Sequence, residues 1–346
     1  MWGLHRPRGR RLAAALLLPA LLLLSGCTGD PQDTLTRHGT VSDRLTDLFL
    51  LVFWTAVVVF VLVEGALIFI LFRYRRRPTE DRLPAQTHGS TPLEIGWTIV
   101  PVVLLAVMAI PTVRDIRFIS DVPNDRGDVL NVNVFAQQWW WGFQYPDSGV
   151  VTADELYIPV GRPVKVTLQS NDIIHSFWVP NLAGKTDVVP SKNPKQKLNT
   201  MWLEAKEPGR YQGQCAEFCA QSHAKMKFEV VAVPEADFQT WLQQQNAPAA
   251  TPTGAAFQGM QTFNGLPCIG CHSIKGNPAA VGTFGPNLTH FASRDRFAGN
   301  WLENNTENLH DWLKDPPAIK PGSRMPNYNL SDDQINQLIA YLQSLQ

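Results

Sequence analysis

The stretch that decides the fold and the chemistry is residues 215–226, which read Cys-Ala-Glu-Phe-Cys-Ala-Gln-Ser-His-Ala-Lys-Met. It places two thiols, an imidazole and a thioether close together, and His175 lies upstream. Thiolate, imidazole and thioether form a soft ligand set that suits copper better than magnesium or calcium. Two nearby cysteines in an exported domain usually form a disulfide, but a disulfide needs neither the histidine nor the methionine. Structural zinc rarely takes a methionine ligand, so the pattern predicts a copper site.

The residues around this loop alternate between apolar and polar side chains. Three such segments are residues 129–134, 164–168 and 228–233. Turns rich in proline and glycine, such as residues 159–163, separate them, and no long amphipathic helix interrupts residues 128–233. Short alternating strands with such turns predict an all-β Greek-key sandwich or barrel.

Two long apolar stretches precede the β segment. Residues 48–72 can cross about 30 Å of hydrocarbon, and residues 95–113 span about one membrane thickness. Residues 73–82 between the stretches contain five arginines and two acidic residues, and the positive-inside rule places this connection in the cytoplasm. The sequence therefore predicts an antiparallel transmembrane hairpin over residues 40–115. Glu64 inside the first span is either a protonated packing residue or a proton-linked or subunit-facing group, because an unpaired carboxylate is unfavourable there.

The N-terminal segment is typical of a secretory signal peptide. Residues 1–26 contain four arginines followed by an apolar run that is too short to span a membrane. The run ends in Leu24-Ser25-Gly26-Cys27, which resembles a bacterial lipobox. That resemblance implies cleavage before Cys27 and attachment of a lipid to it, whereas cleavage elsewhere would leave Cys27 as a free thiol. Either way, the C-terminal bulk of the chain is exported.

The last part of the chain carries a second cofactor motif. Residues 243–256 are rich in Pro, Ala, Thr and Gln, a composition that predicts a semi-flexible tether because it cannot build a core. Residues 268–272 then read Cys-Ile-Gly-Cys-His, the attachment pattern of a c-type haem. A redox-active C-x-x-C that happens to precede a histidine is the alternative for the motif taken alone.

Several motifs within residues 40–235 together resemble cytochrome c oxidase subunit II. They are the 215–226 loop, His175–Pro180, Gly184–Asp187, and Glu94–Thr98 with Pro101. The resemblance implies a cupredoxin-like β domain that holds the binuclear copper centre CuA. Cys215 and Cys219 would bridge the two coppers. The other implied ligands are His175, His223, Met226 and the backbone carbonyl of Glu217.

The same resemblance implies roles outside the ligand set. Within the aromatic run 139–145, a core strand would bury alternate residues, and the resemblance makes an exposed Trp139 the point where electrons enter. Asp172 matches a carboxylate that docks the electron donor, although Asn171 stands where the family often has a second acid. Glu94 matches the entrance of a proton pathway into subunit I. The Glu217 side chain would bind a magnesium ion shared with subunit I.

The C-terminal residues resemble class I cytochromes c through Gly285–Leu288, Arg324–Tyr328 and a helical tail. The resemblance implies an all-α domain over residues 257–346. Its haem c would be bound covalently by Cys268 and Cys271 and ligated by His272 and Met325. Ligation by His and Met raises the haem potential into a range suited to feeding copper. Three weaker candidates for the second axial ligand are Met260, expected in the core, and His290 and His310, both expected on the surface.

Charge and cysteine usage agree with these assignments. The chain of 346 residues has 30 basic and 30 acidic residues, of which 21 and 26 remain outside once the signal, the connection, Glu64 and Glu94 are set apart. The zero total gives no reason to expect nucleic acid, and the acidic external part favours a cationic electron donor. An odd count of five cysteines excludes a simple disulfide framework. It is accounted for by one lipid anchor, two copper thiolates and two haem thioethers.

The whole chain therefore resembles subunit II of a caa3-type oxidase. The expected parts are residues 1–26 (signal), 40–115 (hairpin), 116–242 (copper domain), 243–256 (linker) and 257–346 (cytochrome domain). Electrons would pass from a donor through haem c and CuA to subunit I, which holds haem a, haem a3 and CuB and reduces oxygen with proton pumping.

The expected location is a bacterial cell membrane, with the copper and cytochrome domains on its outer face. Expected partners are subunit I, further oxidase subunits and a donor such as a quinol:cytochrome c reductase or cytochrome c. The alternatives are the equivalent subunit of a nitric oxide reductase and a copper-delivery protein. A quinol oxidase subunit is disfavoured because that branch lacks the copper ligands.

Overall fold

The computed structural model describes residues 32–75, 86, 88–123, 128–191, 193 and 197–346. The predicted signal peptide, Cys27 and most of the arginine-rich connection lie outside the described residues. Two long helices come first, α1 (Thr40–Arg73) and α2 (Thr91–Ser120). Each is long enough to cross a membrane and contains an 18-residue stretch that is apolar enough, with a mean hydropathy of 2.7 in α1 and 2.2 in α2, which agrees with the predicted pair of apolar helices.

The helices extend beyond the predicted spans because their outer ends pack on the β domain. At the start of α1, Ser42 Oγ donates a hydrogen bond to the Asn181 carbonyl at 2.7 Å. Asp115 near the end of α2 is buried, and its carboxylate lies 3.7 Å from the Arg44 guanidinium of α1. The Glu64 side chain lies in the groove between α1 and α2. Glu94 sits in the first turn of α2, roughly 40 Å of helix from the β domain at 1.5 Å per residue.

The β domain is a sandwich of two five-stranded sheets, as the alternating segments predicted. Its strands are β1 (Leu130–Gln137), β2 (Trp140–Tyr145), β3 (Val150–Ala153), β4 (Glu155–Pro159), β5 (Val164–Ser170), β6 (His175–Trp178), β7 (Thr186–Val188), β8 (Asn199–Leu203), β9 (Gly209–Cys215) and β10 (Lys227–Val233). The sheet orders are β3-β2-β1-β5-β8 and β4-β10-β9-β6-β7. Alternate residues Trp141, Phe143 and Tyr145 are fully buried between the sheets, because successive side chains of a strand point to opposite faces. Helix α3 (Glu235–Asn246) closes the domain.

The C-terminal domain is built from helices α4 (Gly254–Gly265), α5 (Cys268–Cys271), α6 (Thr306–Lys314), α7 (Pro316–Ile319) and α8 (Asp332–Leu342). Its core depends on close contact between α4 and α8, where a Cβ added at Gly259 would lie 2.7 Å from the Tyr341 Cβ. The domain is not wholly helical, because the short strands β11 (Arg296–Phe297) and β12 (Leu302–Glu303) form a hairpin. This hairpin packs against the β domain.

The predicted tether is shorter and more closely held than its composition suggested. Helix α3 extends into it from one side and α4 from the other, so that residues 247–253 alone are non-helical. The Ala249 amide donates to the Lys275 carbonyl at 2.8 Å, and the His290 imidazole lies 3.1 Å from the Ala247 carbonyl. The connection therefore lies along the cytochrome domain instead of hanging free.

Candidate copper and haem sites

The structure brings the side chains of the 215–226 loop together at one edge of the β sandwich. Cys215 and Cys219 are both buried, both are free thiols, and their sulfurs are 3.8 Å apart. A disulfide would require about 2.05 Å. Two thiolates bound tetrahedrally at about 2.3 Å to one metal would be about 3.8 Å apart. The spacing therefore fits two sulfurs that share a metal.

The other predicted donors surround these sulfurs. His175 Nδ1 is 3.7 Å from Cys215 Sγ, and His223 Nδ1 is 3.4 Å from Cys219 Sγ. Met226 Sδ is 3.8 Å from Cys219 Sγ, and the Glu217 carbonyl oxygen is 3.2 Å from Cys215 Sγ. All six candidate donors thus line one small space, and their chemistry is the soft set that suits copper.

The fold places these donors by strand pairing. Phe177 of β6 pairs with Cys215 of β9, which sets His175 beside the loop. The loop is closed at its base because the Cys215 amide donates to the Met226 carbonyl at 3.0 Å. His175 and Met226 are fully buried, so the rigid sandwich limits their movement.

Hydrogen bonds around the site orient His175. Its Nε2 lies 2.8 Å from the Asp172 carboxylate, and because a carboxylate accepts, Nε2 carries the hydrogen and Nδ1 is left free to bind metal. Burial acts against the ionised form of Asp172, but hydrogen bonds from His175 and from the amides of Gln138 and Ile173 hold its pKa below the usual value. The hydrogen bond from Cys219 lowers the pKa of the Cys215 thiol despite its burial, which favours the thiolate, the form that binds metal.

The predicted haem residues line a single apolar cavity. Cys268, Cys271, His272 and Met325 all border it, together with apolar side chains such as Phe263 and Leu338. His272 Nδ1 donates to the Pro286 carbonyl at 2.8 Å, which leaves Nε2 free toward the cavity. Burial lowers the pKa of His272. Two free thiols, a neutral imidazole and a thioether around an apolar space fit a covalently bound haem.

The alternative axial ligands lie elsewhere. Met260 borders a different cavity, next to residues 249–252. His310 is partly exposed and lies near Asp311 and Asp332, as expected for a surface histidine. The prediction that His290 is also on the surface is wrong, because it is only 7% exposed and bonds to the linker.

The largest departure from expectation concerns Trp139 and Asp172. Trp139 is only 6% exposed, because the cytochrome domain covers it: the residue borders the haem cavity, Gly322 lies against its ring, and its Nε1 donates to the Cys219 carbonyl at 2.8 Å. The Asp172 side chain is 8% exposed and lies 3.3 Å from Arg324 of the cytochrome domain. Both residues therefore face this chain's own cytochrome domain instead of solvent. The sequence contained no signal for these contacts, which join residues more than a hundred positions apart.

Comparison with known proteins identifies the family. Three family profiles match: "Cytochrome C oxidase subunit II, transmembrane domain" at residues 39–114, "Cytochrome C oxidase subunit II, periplasmic domain" at residues 150–233, and "Cytochrome c" at residues 257–346. Cytochrome c oxidase subunit 2 of Alkalihalophilus pseudofirmus is 40% identical over 330 residues, which cover 94% of each chain. The chain belongs to the cytochrome c oxidase subunit 2 family.

A second relative agrees with this membership. Cytochrome c oxidase subunit 2 of Bacillus subtilis is 38% identical over 345 residues, covering 95% of this chain and 97% of the relative. The periplasmic domain of cytochrome oxidase subunit II from Bradyrhizobium japonicum is 27% identical with a TM-score of 0.33, and the match covers 36% of this chain and 96% of that one. The chain is thus a component of a haem-copper terminal oxidase, in which it partners subunit I. Its domains carry copper as CuA and haem c.

Proposed function

We propose that this chain passes electrons from an external donor through haem c to CuA and on to subunit I, where oxygen is reduced to water with proton pumping. The observation that carries the proposal is the position of Trp139. Trp139 borders the haem cavity, and its indole Nε1 donates a hydrogen bond to the carbonyl of Cys219 in the copper loop. One aromatic side chain therefore connects the two cofactor sites within a single polypeptide.

The copper site is suited to one-electron exchange, which is the chemistry that bound copper supplies. The copper would be held by Cys215, Cys219, His175, His223, Met226 and the Glu217 carbonyl. The buried sandwich holds these side chains in place, so that little rearrangement accompanies a change of charge. Asp172 fixes the ring of His175, a contact that tunes the metal and its affinity.

The haem site is suited to deliver electrons to that copper. Cys268 and Cys271 would form the thioether links to the haem, and His272 and Met325 would ligate its iron. Gly285 makes room for the His272 ring, since a Cβ there would lie 2.7 Å from the ring carbon Cε1. Tethering the haem domain raises the effective donor concentration at the copper without requiring new contacts.

Subunit I would meet the exposed side of the copper loop and the apolar helices. Phe218 in the loop is 76% exposed, and Glu217 beside it is also exposed. Among the described residues Glu217 belongs to no cluster of three or more His, Cys, Asp or Glu donors, so a magnesium ion there would need ligands from subunit I. Glu94 lies at the opposite end of α2 from the copper domain. That position suits a proton entrance on the cytoplasmic side.

The external donor would act on the cytochrome domain instead of the copper domain. The cytochrome domain covers Trp139, and Arg324 forms an ion pair with Asp172. A soluble donor protein therefore cannot reach either residue in this arrangement. The acidic external part would attract a cationic donor such as a cytochrome c; a quinol:cytochrome c reductase is the other candidate. The location that follows is a bacterial cell membrane, with both cofactor domains on the outer face.

The test is a Trp139→Phe variant of the purified oxidase, with Trp241→Phe as control because Trp241 stacks on Tyr157 and does not line the haem cavity. After rapid photochemical reduction of the haem, we expect slower electron transfer to copper in Trp139→Phe and a normal rate in the control. The haem optical spectrum and copper electron paramagnetic resonance spectrum should be unchanged in both. Equal rates in the variant and the wild type would refute this route.

A second measurement addresses the acceptor and the competing functions. The complex that co-purifies with the chain should consume oxygen, whereas a subunit of a nitric oxide reductase would support nitric oxide uptake instead. A copper-delivery protein would need neither Trp139 nor a tethered haem. Metal analysis should therefore give two coppers and one covalent haem per chain in the functional complex.

A further inference from the structure

The contact between the β domain and the cytochrome domain encloses a lysine. Lys320 follows α7 and is only 4% exposed. Its ammonium donates to the Trp139 carbonyl of the β domain at 2.5 Å and to the Ala298 carbonyl of its own domain at 2.7 Å. A buried ammonium requires such partners, and one of them belongs to the residue that connects the two cofactor sites.

Asp154, a buried carboxylate of the β domain, contacts the same interface. Asp154, between β3 and β4, is 3% exposed. Its Oδ1 accepts from the Trp141 amide at 2.9 Å, and its Oδ2 accepts from the Gly299 amide at 2.9 Å. The Asp154 carboxylate also attracts the Lys320 ammonium. Asp154 therefore bonds one residue on each side of the interface, as Lys320 does.

These two charges hold the same peptide group. Lys320 binds the carbonyl and Asp154 binds the amide of the Ala298–Gly299 peptide, at the tip of the β11–β12 hairpin. On the other side, the two charges bind the carbonyl of Trp139 and the amide of Trp141. Complementary charges placed on both ends of one dipole specify its direction as well as its position.

The backbone at this point is shaped for close contact. Gly299 has a φ of +78°, and a Cβ there would lie 2.7 Å from the Trp139 carbonyl oxygen. Gly322, also at φ +78°, approaches the other side of Trp139, where a Cβ would lie 2.5 Å from the indole ring. Only glycine adopts this conformation readily, so both residues let the cytochrome domain press directly against Trp139.

The burial of Lys320 and Asp154 indicates what their contacts contribute to the interface between the two domains. Burial lowers the pKa of Lys320 to about 8, although attraction from Asp154 opposes the shift. The loss of hydration of the ammonium therefore offsets part of its attraction to its partners. Buried ionic groups of this kind set a unique arrangement instead, because any other register leaves them without partners.

We propose that Lys320 is a positioning residue for electron transfer: together with Asp154 it clamps the Ala298–Gly299 peptide against Trp139 and fixes the register of the cytochrome domain on the copper domain. The inference rests on the proposed electron route. Without the clamp, the tether keeps the domains together, but the haem samples arrangements in which Trp139 is displaced from its cavity.

The test compares Lys320→Met, Asp154→Asn and the double variant in the intact oxidase, with Lys314→Met as control because Lys314 is exposed in the same domain. We expect haem-to-copper electron transfer to slow at least about tenfold in Lys320→Met, with unchanged haem potential and copper spectrum. The control should keep the wild-type rate. The double variant should lose less than the product of the two single effects, because the partners are coupled.

Hydrogen exchange gives a readout that does not depend on electron flow. The Gly299 amide bonds to Asp154, and the Lys227 amide bonds to the Gly299 carbonyl at 3.0 Å, so both exchange when the domains separate. Faster exchange at these two amides in Lys320→Met, with unchanged exchange inside each domain, would support the clamp. Wild-type exchange and wild-type electron transfer would overturn it, and so would fully independent effects of the two single variants. Absence of electron transfer in the wild type would instead refute the proposed function, while the exchange experiment would still decide the clamp.

Discussion

The pH dependence of stability offers a quantitative test centred on Glu155. This residue opens β4 at the edge of the cytochrome contact, and its carboxylate accepts from the Asp295 amide at 3.3 Å. Burial raises its pKa from 4.5 to about 7, while Arg294 and Arg210 oppose the shift and Asp295 adds to it. Tyr157 also faces the carboxylate. Ionised Glu155 is thus disfavoured in the folded protein, although two arginines are near.

The direction and size of the effect follow from that shift. Since the pKa of Glu155 is higher in the folded state than the 4.5 of the unfolded chain, its contribution to stability is fully present below that value. The contribution is lost as the pH rises through about 7. The whole effect is about 3 kcal/mol at 1.36 kcal/mol per pKa unit. About 1.4 kcal/mol of it falls between about pH 6 and pH 9.

The perturbation is Glu155→Gln, which keeps the shape of the side chain and removes the titration. We expect the variant to match the wild type at acidic pH and to exceed its free energy of unfolding by up to about 3 kcal/mol at high pH. Urea titrations of the full chain in detergent, followed by tryptophan fluorescence at several pH values, would measure this. Glu307→Gln, on the exposed surface of α6, is the matched control. A Glu155→Gln variant whose stability falls with pH in parallel with the wild type would refute the reasoning.

Three further predictions concern the cofactor sites and the cytochrome core. Met325→Leu should change the haem spectrum and lower the haem potential, since thioether ligation raises it, and should leave the copper resonance spectrum intact; an unaffected haem spectrum would exclude Met325 as a ligand. Asp172→Asn should weaken copper binding about 10- to 100-fold in copper titrations, because an uncharged amide holds the His175 ring less strongly than the carboxylate does, and an unchanged affinity would contradict this role. Gly259→Ala should destabilise the cytochrome domain by about 1–3 kcal/mol in thermal unfolding, as its Cβ collides with Tyr341, whereas Gly265→Ala should be tolerated because nothing lies within 4 Å there.

Local patterns in the sequence were sufficient to predict the helices and strands and the soft-metal chemistry of the 215–226 loop. Apolar length predicted two membrane helices, because a helix must match the hydrocarbon thickness. Alternation predicted the strands, since side chains of a strand point to opposite faces. The clustering of thiols, imidazole and thioether between Cys215 and Met226 predicted a soft-metal site, because ligands that share a loop are already close together.

What only the tertiary structure decided is how the two cofactor domains meet. Nothing in the sequence pairs Trp139, Asp154, Lys320 and Arg324 with one another, and their contacts join positions up to 186 apart. Neither periodicity nor spacing carries information about such pairs. The pairs depend on which surfaces of the two domains stay exposed after each domain has buried its own core, and on how those surfaces fit together. The same limit explains why the sequence predicts a surface position for His290 and a semi-flexible tether at residues 243–256, whereas His290 is buried and the tether bonds to the cytochrome domain. The sequence by itself determined that the chain contains sites for copper and haem; the packing of one domain on the other decided that Trp139 lies between them.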